Sequence, residues 1–192
     1  MKAVSLLLLL LLPLLPAFGQ ATLPLDEHGK VVFYEVVSRE GTPKEALYAA
    51  ALGWLGANAP DYQEEREADG TAYRFTATRQ LPVYGKGYVS KQLHGTISYR
   101  LTLELKDGRY RYYCKDFVFH YHKVDRTYKV VPTGQTKPLE DPKAAGWQQT
   151  WKSHRETVAK AMNTLAADLK NALQQKAPEA KIARSATVTE NW

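Results

Sequence analysis

The chain has 192 residues, of which 44% are hydrophobic and 24% are charged, and its formal net charge is +6. This length and composition suit one globular domain with a real core and leave too few residues for two. The sole cysteine, Cys114, excludes an internal disulfide. The positive charge favours anionic partners such as acidic glycans, lipid head groups or acidic proteins.

A secretory leader is predicted at the N-terminus. Met1 and Lys2 precede a leucine-rich segment, residues 3–18, which contains two prolines and is followed by Gly19. This order is that of a signal peptide, and the segment is too short for a membrane span; a buried helix is the alternative. Cleavage is predicted before Gln20. Because no cysteine follows the apolar segment, we expect no lipoprotein anchor and a periplasmic or secreted protein.

A strand and a helix are predicted to open the mature domain. Residues 31–37 are β-branched and aromatic enough for a strand, which Gly41 ends. Residues 42–45 have the form of a capping box, with Thr42 as N-cap, a proline at the first helical position and Glu45 three residues after the cap. An apolar stripe then predicts a helix that ends near residues 56–58.

The next segments predict shorter strands. Residues 62–80 are typical of two strands around a turn at residues 68–70. Residues 83–89 resemble a strand interrupted by Gly85 and Gly87, which indicates a bulge or a close backbone approach. A phosphate cradle is the alternative, but the segment lacks the spacing and the terminal Lys-Ser/Thr of a P-loop.

The clearest element is a long β-hairpin over residues 97–123. Its first strand alternates apolar and polar residues without interruption. Asp107-Gly108 predicts a type I′ turn, which requires φ > 0 at both residues. The facing pairs are then Lys106–Arg109, Glu104–Arg111, Leu101–Cys114 and Arg100–Lys115. This register makes Cys114 a small buried hydrophobe rather than a catalytic thiol, and it leaves positive charge unpaired at Arg100 and Lys115.

The C-terminal part is predicted to contain one more strand and a long helix. The strand covers residues 127–131 and a loop follows over residues 132–140. Asp141 and Pro142 then open the helix, which Pro178 ends. Its apolar stripe consists of Trp147, Trp151, His154, Val158, Met162, Leu165, Leu169 and Leu173.

These elements predict an α+β fold. A curved antiparallel sheet carries the short N-terminal helix and the long C-terminal helix on one face. The predicted domain organisation is a signal peptide over residues 1–19, a single α+β domain over residues 20–176 and a loose tail over residues 177–192.

Several motifs resemble a secreted bacterial family of unknown function, DUF4468. They are Leu23-Pro24, Gly29-Lys30-Val31, Leu47-Tyr48, Trp54, Gly85-Lys86-Gly87 and, above all, the segment from Lys106 to Tyr112. The resemblance covers residues 23–123 well and the C-terminal helix loosely. It implies a TATA-binding-protein-like (TBP-like) fold and a cell-envelope setting. It supplies no catalytic residues, and a fold likeness to a DNA-binding protein does not imply DNA binding.

Histidines are the first candidate metal ligands. His120 and His122 lie two residues apart on one strand, so they share a face and could hold a metal. The hairpin register places His94 opposite Tyr121 and on the other face. Only a bulge, for which Gly95 offers a position, would bring the three histidines together. Because zinc sites usually need three or four protein ligands, no metal site and no cofactor are predicted.

Catalytic groupings are the second candidate. His154 lies within the apolar stripe of the C-terminal helix and is interpreted as a core or boundary histidine. The sequence has no Gly-x-Ser-x-Gly elbow and no Ser-His-acid grouping that the predicted topology brings together. Carboxylate pairs at residues 64–65 and 140–141 occupy solvated or capping positions. No catalytic residue is predicted.

The third candidate is the outward face of the hairpin. Its predicted ligand-binding residues are Arg100, Arg109, Arg111, Tyr113 and Lys115. Basic residues beside an aromatic ring can bind a sugar, a phosphate or a nucleic acid. The alternative is that exposed strands carry Lys and Arg for solubility and to prevent edge pairing. Export separates the protein from nucleic acid, so no nucleic-acid partner is expected.

The favoured hypothesis is an exported, non-catalytic binding module whose partner is an envelope protein or an anionic glycan or lipid component. One alternative is a hydrolase of cell-wall or glycan substrates, which would need a cleft that gathers a histidine and a carboxylate. The other is a structural or inhibitory partner of another secreted protein, which an extended apolar surface patch would favour.

Overall fold

The computed structural model describes residues 23–66, 70–85, 92–143 and 148–174. The elements in chain order are β1 (Phe33–Ser38), α1 (Lys44–Asn58), β2 (Gln63–Arg66), β3 (Tyr73–Gly85), β4 (Gln92–Lys106), β5 (Arg109–Val124), β6 (Val130–Pro138) and α2 (Gln148–Gln174). The predicted signal peptide with its cleavage site, Gly87, Pro178 and the predicted tail lie outside the described residues.

The six strands form one antiparallel sheet in the order β1-β5-β4-β3-β2, and β6 also pairs with β5. β1 pairs with residues 109–114 of β5, whereas β6 pairs with residues 118–124. β1 and β6 therefore lie end to end along the same edge of β5. The predicted α+β class and antiparallel sheet are confirmed.

Both helices contribute to one hydrophobic core on a single face of the sheet. α1 buries Leu47, Ala51, Trp54 and Leu55. α2 buries Trp151, His154, Val158, Met162, Leu169 and Leu173. Except for Trp147, which lies outside the described residues, and Leu165, which is partly buried, this is the predicted stripe. Among the described residues, no helix is long and apolar enough to cross a membrane.

The register of the β4–β5 hairpin agrees with the prediction from its turn as far as Arg100, which faces Lys115. The register then shifts between Ser98 and Arg100. Asp116 has a φ of 60° at this shift, so an extra residue enters β5 as a bulge. Beyond the bulge Gly95 faces Tyr121, and the predicted pairing of His94 with Tyr121 is wrong.

The predicted turn type and capping box are also wrong. Gly108 has a positive φ of 70°, whereas Asp107 does not, so the turn is not type I′. The Asp107 carboxylate instead accepts a hydrogen bond from the backbone N–H of Lys44 at 2.8 Å, and Gly108 donates to the carbonyl of Thr42 at 3.0 Å. The hairpin turn thus caps α1 from a distance, and the N-cap residue itself, Pro43, makes no side-chain cap bond.

Strand boundaries differ from the predictions where prolines occur. β3 continues through Pro82 to Gly85, because β2 pairs only with its first residues and leaves the other side of Pro82 without a partner strand. β6 includes Pro132 on an edge strand and therefore covers most of the predicted loop. Both prolines thus lie where the strand has a partner on one side only, the position in a sheet where proline is tolerated.

The start of the C-terminal helix is a further correction. Residues 141–143 are not helical. The Asp141 carboxylate accepts a hydrogen bond from the backbone N–H of Lys143 at 2.8 Å and pairs with the Lys137 ammonium at 2.9 Å. Asp141 therefore stabilises a local turn rather than capping a helix at this position.

Candidate functional site

The side of the sheet that faces away from the helices is its candidate functional surface, here called the open face. It is formed by alternate side chains of β1 to β5, which point opposite to the core residues. The predicted ligand-binding residues all have this orientation by their register: Arg100, Arg109, Arg111, Tyr113 and Lys115. The sequence prediction thus placed these five on one surface correctly, and their role in binding stays a prediction.

Glu104 lies at the centre of the open face and is only 4% exposed. Its carboxylate accepts hydrogen bonds from Nε of Arg111 at 2.5 Å, Nε of Arg74 at 3.0 Å and the Tyr113 hydroxyl at 3.3 Å. Burial raises the pKa of Glu104, but the two guanidinium groups outweigh that effect and the pKa is lowered overall. Glu104 is therefore a buried carboxylate ion shared by two arginines.

This arrangement fixes the orientation of Arg111. The bond to Glu104, together with a weaker contribution from a hydrogen bond with Tyr34, raises the pKa of Arg111. Since Glu104 uses the Nε of Arg111, the orientation of the guanidinium is set by the sheet rather than by solvent. A guanidinium held in this way loses little conformational freedom when its terminal nitrogens bind an anion.

Arg100 and Lys115 lie further along the same two strands. Nε of Arg100 is 3.7 Å from Oδ2 of Asp116, the bulge residue. The prediction that the charge of Arg100 is unpaired is therefore wrong, because the bulge places the Asp116 carboxylate beside the Arg100 guanidinium. The ammonium of Lys115 lies 5.7 Å from the ring centroid of Tyr113, a cation–π distance.

The open face contains two concave regions of different charge. The first, here called the mixed groove, has a volume of about 510 Å³, and its charged lining residues are Asp61, Glu65, Arg74, Arg100 and Lys115. The second, here called the basic pocket, has a volume of about 250 Å³, and its lining residues are Tyr34, Val36, Glu104, Lys106, Arg109, Tyr110 and Arg111. The mixed groove is lined by two acidic and three basic residues, whereas the basic pocket is lined by three basic residues and one acidic residue.

Sequence reasoning missed Arg74, Tyr34 and Val36. For Arg74 a signal was present, because the neighbouring Tyr73 and Phe75 have core-strand character and the intervening residue must face outward. For Tyr34 and Val36 the apolar strand gave no indication of which residues would be exposed, and they are 57% and 50% exposed.

A second bulge explains the position of His94. Val83 pairs with Gly95, and the next residue of β3, Tyr84, pairs with Leu93. His94 is therefore an extra residue in β4. Gly95 is required here, because a Cβ at this position would lie 2.3 Å from the His120 carbonyl oxygen. A bulge is thus present at the position that Gly95 offered, but it turns His94 toward α2 and not toward the other two histidines.

His94 meets His154 of α2, with 2.7 Å between Nδ1 of His94 and Nε2 of His154. Both rings contact Phe119. Burial lowers the pKa of both histidines. The pKa of His154 falls to about 4, with a smaller contribution from the nearby His94. Two neutral imidazoles therefore share one hydrogen bond in the core at neutral pH.

His120 and His122 make separate contacts. Nε2 of His120 lies 2.7 Å from the Ser98 hydroxyl, and Nδ1 of His122 lies 3.1 Å from the His120 carbonyl oxygen. Within the described ranges, no three His, Cys, Asp or Glu side chains are grouped closely enough to hold a metal. Cys114 is fully buried, and burial raises the pKa of its thiol to about 12, so the predicted burial of this residue is confirmed.

Comparison with solved structures defines the class of fold. A TBP-like protein from Parabacteroides distasonis has a TM-score of 0.58 and 18% sequence identity to this chain, and the alignment covers 80% of this chain and 97% of that one. A DUF4468 family protein from Bacteroides ovatus has a TM-score of 0.51 and 18% identity, with 83% and 93% of the two chains covered. The fold is therefore TBP-like, as the sequence resemblance implied.

The family resemblance is confirmed in addition to the fold. Residues 33–120 match the family described as "Domain of unknown function (DUF4468) with TBP-like fold". The matched region contains β1 to most of β5 and thus nearly the whole open face. No curated protein matches the chain.

Proposed function

We propose that the protein is an exported, non-catalytic binding module of the bacterial cell envelope and that it binds an anionic component on its open face. The observation that carries this proposal is the charge arrangement around Glu104. That carboxylate is shared by Arg74 and Arg111, while Lys106, Arg109 and Lys115 have no acidic partner among the described residues. The open face thus has cations whose charge the protein itself does not neutralise.

The shape of the sheet supports the same proposal. The helices cover one face only, and the polar residues of the other face line concave regions rather than a flat surface. Rigid strands hold the charged groups, and Glu104 holds two of the guanidinium groups. A preorganised basic surface of this kind binds an anion with a small ordering cost.

A charge-reversal experiment tests this proposal. In one variant Lys106, Arg109 and Lys115 are replaced by Glu, and retention of the purified protein on a bacterial envelope fraction is measured by sedimentation. A matched control replaces Lys123, Arg126 and Lys129 by Glu. These residues are exposed near the β5–β6 turn and carry the same total charge.

We expect the open-face variant to lose retention by about tenfold or more, since each buried or partly buried charge contact contributes about 1.4 kcal/mol or more. The control should retain most of the binding. Circular dichroism must show that both variants are folded. Equal loss in both variants would indicate nonspecific attraction to net charge and would contradict the proposal, as would retention of the open-face variant at the wild-type level.

A further inference from the structure

We propose that the basic pocket binds a phosphate monoester whose other substituent is apolar. Lys106, Arg109 and Arg111 would hold the phosphate, and Tyr34 and Val36 would contact the substituent. This inference rests on the proposed function and specifies the ligand class and the position on the open face.

The charge of the basic pocket matches a phosphate better than a carboxylate. Among the lining residues the negative charge of Glu104 offsets the positive charge of Arg111, and Lys106 and Arg109 add two positive charges without an acidic partner in the described part of the chain. Asp107 lies between them in sequence, but its carboxylate is directed to the N-terminus of α1. A phosphate monoester carries a charge of about −1.5 to −2 at pH 7, whereas a carboxylate carries only one.

The apolar part of the pocket indicates that the anion carries an apolar group. Val36 lies directly opposite Arg111, and Tyr34 lies opposite Tyr113 in the β1–β5 register. Both β1 side chains are at least half exposed although they adjoin a charged surface. A volume of about 250 Å³ is below that of a pocket for a drug-sized ligand, which is roughly 300–1,000 Å³. The pocket therefore suits a small ring or a short alkyl chain beside the phosphate.

The mixed groove lacks these properties. Asp61 and Glu65 line it, and Asp116 lies beside Arg100. An anion placed there would approach carboxylates as well as cations, so its net attraction is smaller. The difference between the two regions predicts where on the open face a phosphate binds.

Isothermal titration of the protein, expressed from its full sequence, tests the inference with three probes: phenyl phosphate, inorganic phosphate and benzoate. We expect phenyl phosphate to bind most tightly. Replacing Lys106 and Arg109 by Gln should weaken its binding by about tenfold or more. The matched control, with Gln at Arg126 and Lys129, should bind like wild type. Val36→Ser, which leaves the hydrogen bond between Tyr34 and Arg111 in place, should weaken the binding of phenyl phosphate more than the binding of inorganic phosphate.

Phosphatidylcholine vesicles that contain phosphatidic acid distinguish the sources of the phosphate. Capture that phenyl phosphate competes away supports a lipid phosphate in the pocket; phenyl phosphate binding without capture supports a soluble ester. The inference is overturned if benzoate binds as tightly as phenyl phosphate, if inorganic phosphate does, or if the Lys106/Arg109 variant binds like wild type. If it is overturned while charge reversal still abolishes retention on the envelope fraction, the proposed function stands and only the ligand class is wrong.

Discussion

The two faces of the β4–β5 hairpin differ although they are made of alternate residues of the same strands. On the helix-covered face, Leu101, Leu103 and Leu105 are at most 2% exposed and pack under α1 and α2. On the open face, Thr102 and Glu104 are also buried, with 3% and 4% exposed, and the Glu104 carboxylate is surrounded by charged and hydroxyl groups. The first face is held by apolar burial and the second by hydrogen bonds between charged groups. Apolar burial, and with it most of the stability, is therefore expected on the helix-covered face, whereas the helices leave the open face uncovered.

The largest expected effect is on the helix-covered face. Leu103 is fully buried, so Leu103→Ala should lower the free energy of unfolding by about 2–5 kcal/mol, through lost transfer free energy and a cavity. The outward-facing, exposed Thr78 on the neighbouring strand is the matched control. Thr78→Ala should change stability by less than about 0.5 kcal/mol. Urea unfolding measures both, and equal losses would contradict the difference between the faces.

The next effect concerns pH and the His94–His154 pair. The pKa of His154 is about 4 in the folded protein against 6.5 for an ordinary histidine. Between these values only the unfolded chain takes up the proton, so the free energy of unfolding should fall as the pH falls from 6.5 to about 4, by up to about 3 kcal/mol. The lowered pKa of His94 acts with the same sign.

The variant His154→Phe separates this effect from the carboxylates, whose lowered pKa values act at still lower pH. It should flatten the pH dependence between pH 6.5 and 4, measured by urea unfolding at several pH values. His28→Gln, at an exposed position, is the control and should leave the wild-type slope. A wild-type slope in His154→Phe would show that the pair does not cause the dependence.

A smaller effect is expected at Glu104. Glu104→Gln keeps the shape but removes the charge that two arginines share, and should lower the free energy of unfolding by about 1–2 kcal/mol. The loss is expected to be modest because the side chains of Arg74 and Arg111 are 36% and 47% exposed, so that solvent screens their charges. The exposed Glu40 provides the control Glu40→Gln. A loss at Glu104 no greater than at Glu40 would mean that the carboxylate does not organise the open face.

The smallest expected effect on the two faces of the sheet is that of removing the predicted leader, which should change neither face. We expect a protein secreted from its full sequence to begin at Gln20, because residues 1–19 have the charged, apolar and small-residue order of a signal peptide. Intact-mass measurement of the exported protein tests this. A mass that includes residues 1–19 would contradict the predicted leader.

Alternation allowed the sequence to predict much of the fold. The period of two in β4 and the Asp107-Gly108 turn gave the facing pairs from Lys106–Arg109 to Arg100–Lys115 correctly, because register follows from a turn and a pattern. The stripe of α2 was likewise predictable from its spacing. Five residues of the open face followed directly from the same alternation.

Bulges and long-range bonds were not predictable in this way. Asp116 and His94 each add one residue to a strand. Gly95 indicated that a bulge could occur beside His94, but no local pattern indicated that it would, because each extra residue makes its contact with another element, Asp116 with Arg100 and His94 with His154. The cap of α1 by Asp107 joins residues far apart in sequence. The basic pocket depends on the pairing of β1 with β5, which only the tertiary fold determines.

A crystal structure of the protein soaked with phenyl phosphate tests the central claim most directly. We expect electron density for the phosphate between Lys106, Arg109 and Arg111, with the ring against Tyr34 and Val36 of β1. Density in the mixed groove, or against the helices on the other side of the sheet, would contradict it.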